Sequence, residues 1–181
     1  MSDKKQLLLI AHAPSPNTQK MVTALLKGAN NTEITDIDVR YCPPLEVQPS
    51  DIIAADALIL GTTENLGYMS GLMKDMFDRC YYPCLEKTQG KPFTFFIRAG
   101  HDGTGTRKAL ESITTGLRWR LVQAPLICKG EFQTMFIEQC EELGLKSQVV
   151  ATSDYDAFMQ ASDEAEIDPA LGQHIKTLWA D

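Results

Sequence analysis

Short unbroken apolar runs alternate along the chain with stretches whose apolar residues recur every three or four positions. Leu7-Leu8-Leu9-Ile10-Ala11, Ala57-Leu58-Ile59-Leu60 and Phe93-Thr94-Phe95-Phe96-Ile97 are of the first kind, the pattern of strands buried on both faces of a parallel sheet. Less regular runs, Ile34 to Val39 and about Ala124 to Cys128, complete five predicted strands. The helical spacing appears in Met21, Val22, Leu25, Leu26 and Ala29, and again in Met69, Leu72, Met73, Met76, Phe77 and Cys80. It returns in Ala109, Leu110, Ile113 and Leu117, and in Phe132, Met135, Phe136, Cys140 and Leu143. The first helix is expected to start about Thr18 and end between Gly28 and Asn31. The second is expected to run to Asp78-Arg79 and break at Tyr81-Tyr82-Pro83, before a turn at Gly90-Lys91-Pro92. From 146 to about 168 no clear pattern emerges, and Asp168-Pro169 then has the cap-and-proline order of a helix start.

Strands and helices alternate, and no tight hairpin signal joins two strands. The expected fold is therefore α/β, a doubly wound five-stranded parallel sheet in the order 2-1-3-4-5, as a single domain over residues 1–181. In that order the loops after strands 1, 3 and 4 converge on one crevice at the carboxyl ends of the strands. The first loop, His12-Ala13-Pro14-Ser15-Pro16-Asn17-Thr18, offers hydroxyl and amide donors beside a helix start. That is the make-up of an anion site and equally of a plain helix cap. The second, Gly61-Thr62-Thr63-Glu64-Asn65-Leu66-Gly67-Tyr68-Met69-Ser70-Gly71, is small and polar, with glycines that let backbone approach a ligand. The third, Arg98-Ala99-Gly100-His101-Asp102-Gly103-Thr104-Gly105, is glycine-rich.

Charge and composition narrow the choice of partner. A net charge of -7 argues against nucleic acid, which needs clustered Lys and Arg. No apolar run approaches a membrane span, and Met1 to Gln6 has no signal-peptide core, so the expected location is cytoplasmic, away from membranes. The five cysteines, Cys42, Cys80, Cys84, Cys128 and Cys140, lack framework or zinc spacing; reduced core thiols are expected and no metal.

With these loops in hand, the chain resembles the flavodoxin-like NAD(P)H:quinone and NADPH-dependent FMN reductases. The Ser15-Pro16-Asn17-Thr18 loop, the Gly61 to Gly71 stretch, and Lys74 through Asp78-Arg79 carry the resemblance, which covers roughly residues 5 to 130. It implies that His12, Ser15, Asn17 and Thr18 lie at the FMN phosphate. Thr62, Thr63, Glu64, Asn65, Leu66 and Gly67 would border the flavin ring, with Arg98, Ala99, Gly100, Asp102 and Gly103 on its opposite edge. Arg98 near the pyrimidine end would favour an anionic reduced flavin; a solvated charge at a strand end is the other reading. Three residues depart from the family pattern: Pro16 where Gly is common, Thr63 where Pro is common, and His12 where a small residue is common.

The implied activity is an FMN-dependent oxidoreductase passing electrons from NAD(P)H, a transient donor, to a quinone or similar small acceptor. A flavodoxin-type electron carrier and a flavin-free binding or regulatory domain are the alternatives. No catalytic acid or base is assigned. Tyr68, His101, Tyr81 and Tyr82 have polar tips, but surface packing is the ordinary role for each. The resemblance also implies pairing of two copies beside the flavin site.

Overall fold

A computed structural model describes residues 4–152. The elements are β1 Lys5–Ala11, α1 Pro16–Ala29, β2 Ile37–Cys42, α2 Pro49–Ala54, β3 Ala57–Asn65, β4 Tyr68–Met69 and α3 Gly71–Cys84. They continue with β5 Pro92–Ala99, α4 Thr104–Gly116, β6 Arg120–Leu121, β7 Leu126–Lys129 and α5 Met135–Thr152. The sheet runs β2-β1-β3-β5-β6 in parallel, with β7 also beside β5 and β4 antiparallel to β3. β6 and β7 pair with opposite ends of β5 and together form one interrupted edge strand. With the short β4 set aside, this is the expected order 2-1-3-4-5.

Each unbroken apolar run serves two layers. Leu8, Ile10, Leu58, Leu60, Phe93 and Phe95 pack with Met73, Met76, Phe77 and Leu110 of α3 and α4. Leu7, Leu9, Ala57, Ile59 and Phe96 pack on the other face with Met21 and Leu25 of α1 and with Phe136, Cys140 and Leu143 of α5. Each large side chain so buried contributes roughly 1.5–3 kcal/mol. All five cysteines are free and buried, Cys80 and Cys84 in the α3 layer.

Several boundaries differ from expectation, each for a local reason. β2 starts at Ile37, not Ile34, because the chain turns at Asp36 with φ +62° and β1 sets the register from Lys5↔Ile37. α1 starts at Pro16, since Ser15 rather than Thr18 is its cap. α3 passes Tyr81-Tyr82-Pro83: proline removes one bond in the last turn, and buried Cys80 and Cys84 keep that turn on the sheet. Arg98-Ala99 belongs to β5 and not to the loop beyond it. α5 reaches Thr152, so part of the stretch after 146 is helix, while the start at Asp168-Pro169 lies outside the described residues.

The largest difference concerns the second loop. Thr62 to Asn65 continue β3, and a tight turn at Leu66-Gly67 sends the chain back as β4, a hairpin where none was expected. Both turn residues have positive φ, 53° and 75°, as the type I′ hairpin turn requires. Leucine is an unusual first residue for it, which is why the sequence carried no Asn-Gly signal.

Gly61 marks the point where β3 leaves the core. A Cβ there would lie 2.3 Å from the Phe96 ring and 2.8 Å from the Ala11 Cβ, both in a closed layer. Gly61→Ala is therefore expected to cost about 1–3 kcal/mol of stability, measured by urea denaturation, with a cost below about 0.5 kcal/mol contradicting the packing account.

Candidate functional site

The carboxyl ends of β1, β3 and β5 carry three segments to one end of the sheet: residues 12–15, the β3–β4 hairpin, and residues 100–103. His12 N–H donates to the Gly61 carbonyl at 2.9 Å, which ties the first segment to the root of the hairpin. The His12 side chain is half-buried, and that burial lowers its pKa from the usual histidine value.

Ser15 and Thr18 form a closed capping box. Thr18 N–H donates to Ser15 Oγ at 3.3 Å, and Ser15 N–H to Thr18 Oγ1 at 3.0 Å. Thr18 Oγ1 also donates to the Ser15 carbonyl at 2.9 Å, and its side chain is buried. Both hydroxyls thus serve the helix start. Pro16 has no N–H, so the groups of the first turn left to face an anion are the Asn17 backbone N–H and the Asn17 side-chain amide, beside the positive end of α1.

The hairpin is braced from inside. Buried Thr62 Oγ1 accepts the Ser70 N–H at 3.0 Å and donates to the Thr63 carbonyl at 3.0 Å. Ser70 Oγ in turn caps α3 by accepting the Met73 N–H at 3.2 Å. Thr63 Oγ1 donates to Asn65 Oδ1 at 2.8 Å. The hairpin tip lies on the first turn of α4, where a Cβ on Gly105 would fall 2.1 Å from the Gly67 carbonyl oxygen.

Glu64 links the hairpin to the third segment. Its Oε2 accepts the His101 N–H at 2.8 Å and its Oε1 the Gly103 N–H at 3.0 Å. Asp102 Oδ1 accepts the Thr104 N–H at 2.9 Å, and this backbone bond is the chief reason its pKa lies below the usual carboxylate value. Arg98, expected at the ring edge, is turned to main-chain oxygens. It donates to the carbonyls of Ala99 at 2.6 Å, Cys128 at 3.2 Å and Gly130 at 2.7 Å, with the guanidinium over Phe136. Ala99 is buried, and Gly103 supplies a φ of +72° at the start of α4.

The three segments therefore come together, but their side chains divide. Asn17, Asn65, Leu66, Gly67 and Gly100 stand at the surface or half-buried, while Ser15, Thr18, Thr62, Arg98 and Ala99 are engaged in holding the segments in place. A Cβ on Gly100 would meet nothing within 4 Å, so the fold itself does not demand glycine there. A flat ligand approaching the backbone would. That open strip, together with the free first-turn amide of α1, fits a planar ring with a phosphate arm.

Two supporting residues escaped the sequence. Ser70 is a helix cap with a recognisable signal, a serine directly ahead of an apolar helix. Arg79 donates to the Pro44 and Val47 carbonyls at 2.8 and 2.6 Å and so anchors α3, a role no local pattern announces.

Leu66 is fully exposed at positive φ, so its backbone strain is not repaid by packing. Leu66→Gly is expected to leave stability unchanged or raise it by up to about 1 kcal/mol, read as the denaturation midpoint; a loss of that size would show that Leu66 is packed in solution.

Comparison with known proteins bears on the fold and the family. A curated flavodoxin from Aquifex aeolicus (strain VF5) is 30% identical over 112 residues, 62% of this chain and 60% of that protein, so the match spans less than two thirds of the relative. Among solved structures, a flavodoxin from the domain Archaea superposes with a TM-score of 0.70 at 17% identity, over 82% of this chain and 99% of its own. A WrbA-like flavodoxin from Agrobacterium tumefaciens gives 0.60 at 17%, over 82% and 97%. Rubredoxin oxygen:oxidoreductase from Desulfovibrio gigas gives 0.65 at 16%, over 82% of this chain and 37% of its own. At such identities these structures establish the flavodoxin-like fold. The family model described as NADPH-dependent FMN reductase matches residues 15–134, about two thirds of the chain, and the protein belongs to that family.

Proposed function

We propose that the protein is an FMN-binding oxidoreductase that takes electrons from NAD(P)H and passes them to a quinone or a similar small acceptor. The observation that carries this reading is the strip between the hairpin and Gly100, whose walls are fixed from inside by Thr62, Glu64 and Arg98. FMN would supply the redox chemistry itself. The protein's contribution is to hold and orient. Asn17 and the first turn of α1 would take the phosphate, and the backbone of residues 63–67 and 99–103 would border the ring.

No side chain of the crevice is assigned a proton-transfer role; His101 is 89% exposed and 3.7 Å from Asp102, too loosely held to be a positioned base. Positioning is what hydride transfer needs most. Among the described residues, no helix is long and apolar enough to cross a membrane. A cytoplasmic location and pairing of two copies belong to the same reading, the latter supported by exposed Tyr68 and Leu72 beside the crevice. The similarity to a flavodoxin favours a second reading, an electron carrier without substrate turnover.

Fluorescence titration of flavin-free protein with FMN is expected to show saturable quenching, and Asn17→Ala to weaken binding about five- to tenfold, the worth of one hydrogen bond of about 1–1.4 kcal/mol. NAD(P)H oxidation dependent on added quinone separates the enzyme from the carrier; flavin bound without turnover would overturn the enzyme reading. No quenching by the unmodified chain would overturn both.

A further inference from the structure

The sites left over by the proposed function are few. The groove between α1 and α5 is lined by Lys27, Glu138 and Glu141 and has nothing to name its occupant, and the buried Cys128 and Cys140 pair is closed to solvent. Glu64 is different, because its carboxylate is fully committed in a place where a ligand would also seek donors.

Both Glu64 oxygens accept backbone N–H groups on either side of Asp102, and Gly103 at φ +72° opens α4. Successive N–H groups in such a turn, followed by a helix start, form a concavity that receives anions. Here the chain fills it with its own anion. The bonds, at 2.8 and 3.0 Å, are charge-assisted, and Glu64 is held to them by β3–β4 pairing at Glu64↔Met69. A neutral ligand carbonyl offers one weaker bond in exchange for two strong ones, so displacement of Glu64 is unfavourable. The carboxylate stays, with Asp102 next to it, while the nearest cation on β5, Arg98, is spent on carbonyls and Phe136.

Taking the FMN reading as its basis, we propose that Glu64 is a positioning residue that locks residues 101–103 as one wall of the crevice and makes that wall negative, so the site prefers oxidised to anionic reduced flavin. A hydride from NAD(P)H brings two electrons and one proton to the oxidised ring and leaves it with one negative charge, while the donor leaves as NAD(P)+. That added charge meets a wall whose β5 cation, Arg98, is already occupied. The site would thereby hand electrons on readily instead of retaining them.

Two measurements test this, and the first needs no flavin. In flavin-free protein, the amides of His101 and Gly103 are expected to exchange slowly with solvent. In Glu64→Ala they should exchange at least about tenfold faster, with core amides of β1 and β5 unchanged. Equal exchange in both proteins would overturn the lock. The second measurement is the dissociation constant for FMN, oxidised and after dithionite reduction. Glu64→Gln should shift the ratio about tenfold toward the reduced form, which for a two-electron couple is about 30 mV upward in midpoint potential. Glu64→Ala should weaken binding of the oxidised form several-fold. An unchanged ratio would overturn the charge effect, and tighter binding by Glu64→Ala would show that Glu64 merely obstructs the ligand's donors. If the unmodified chain does not bind FMN, the flavin reading and the charge effect fall together, and amide exchange alone still decides the lock.

Discussion

A strand that runs on past the core must find partners for its backbone, and β3 does so by folding back on itself. Leu58 to Gly61 are paired on both sides by β1 and β5, but beyond Thr63 there is no parallel neighbour, and β4 supplies the missing bonds at Glu64 and Asn65. The rest of the crevice depends on this hairpin. Thr62 joins it to the cap of α3, Gly67 rests on Gly105 of α4, and Glu64 reaches the loop after β5. The hairpin, the start of α3 and the segment from β5 into α4 are held at one sheet end by three hydrogen bonds and one close backbone approach.

Fold and crevice were legible in the sequence to different depths. Leu7 to Ala11, Ala57 to Leu60 and Phe93 to Ile97 can only be central strands, because a run apolar on both faces needs a layer on each side. The alternation of elements then placed the three loops together. Less legible were features decided by tertiary contact. β2 is an edge strand with only Ile37 and Val39 half-buried toward α1 and α5, so its register comes from β1 and not from its own pattern. β6 and β7 are short because Val122 to Pro125 interrupt the edge. The hairpin stayed hidden because Leu66 takes a conformation its side chain does not favour.

Within the site, residue type indicated chemistry but not commitment. Ser15 and Thr18 look like anion donors and are a capping box; Arg98 looks like a free cation and is bound to three carbonyls. Glu64, expected to border the flavin ring, is the bridge between two walls. A polar side chain in a loop is often engaged in making the loop, and what remains for a ligand is mainly backbone: the first turn of α1, the hairpin, and the strip at Gly100. That division suits a cofactor recognised by its flat face and its phosphate more than by charged side chains.

The most direct test of the central claim maps where the ligand sits. Backbone amide resonances of flavin-free protein would be followed as FMN is added. The account predicts that perturbations cluster at residues 17–18, 63–67 and 99–103, with the sheet's opposite end and the α1–α5 groove unmoved. Perturbations confined to the α1–α5 groove, or none at millimolar FMN, would contradict it.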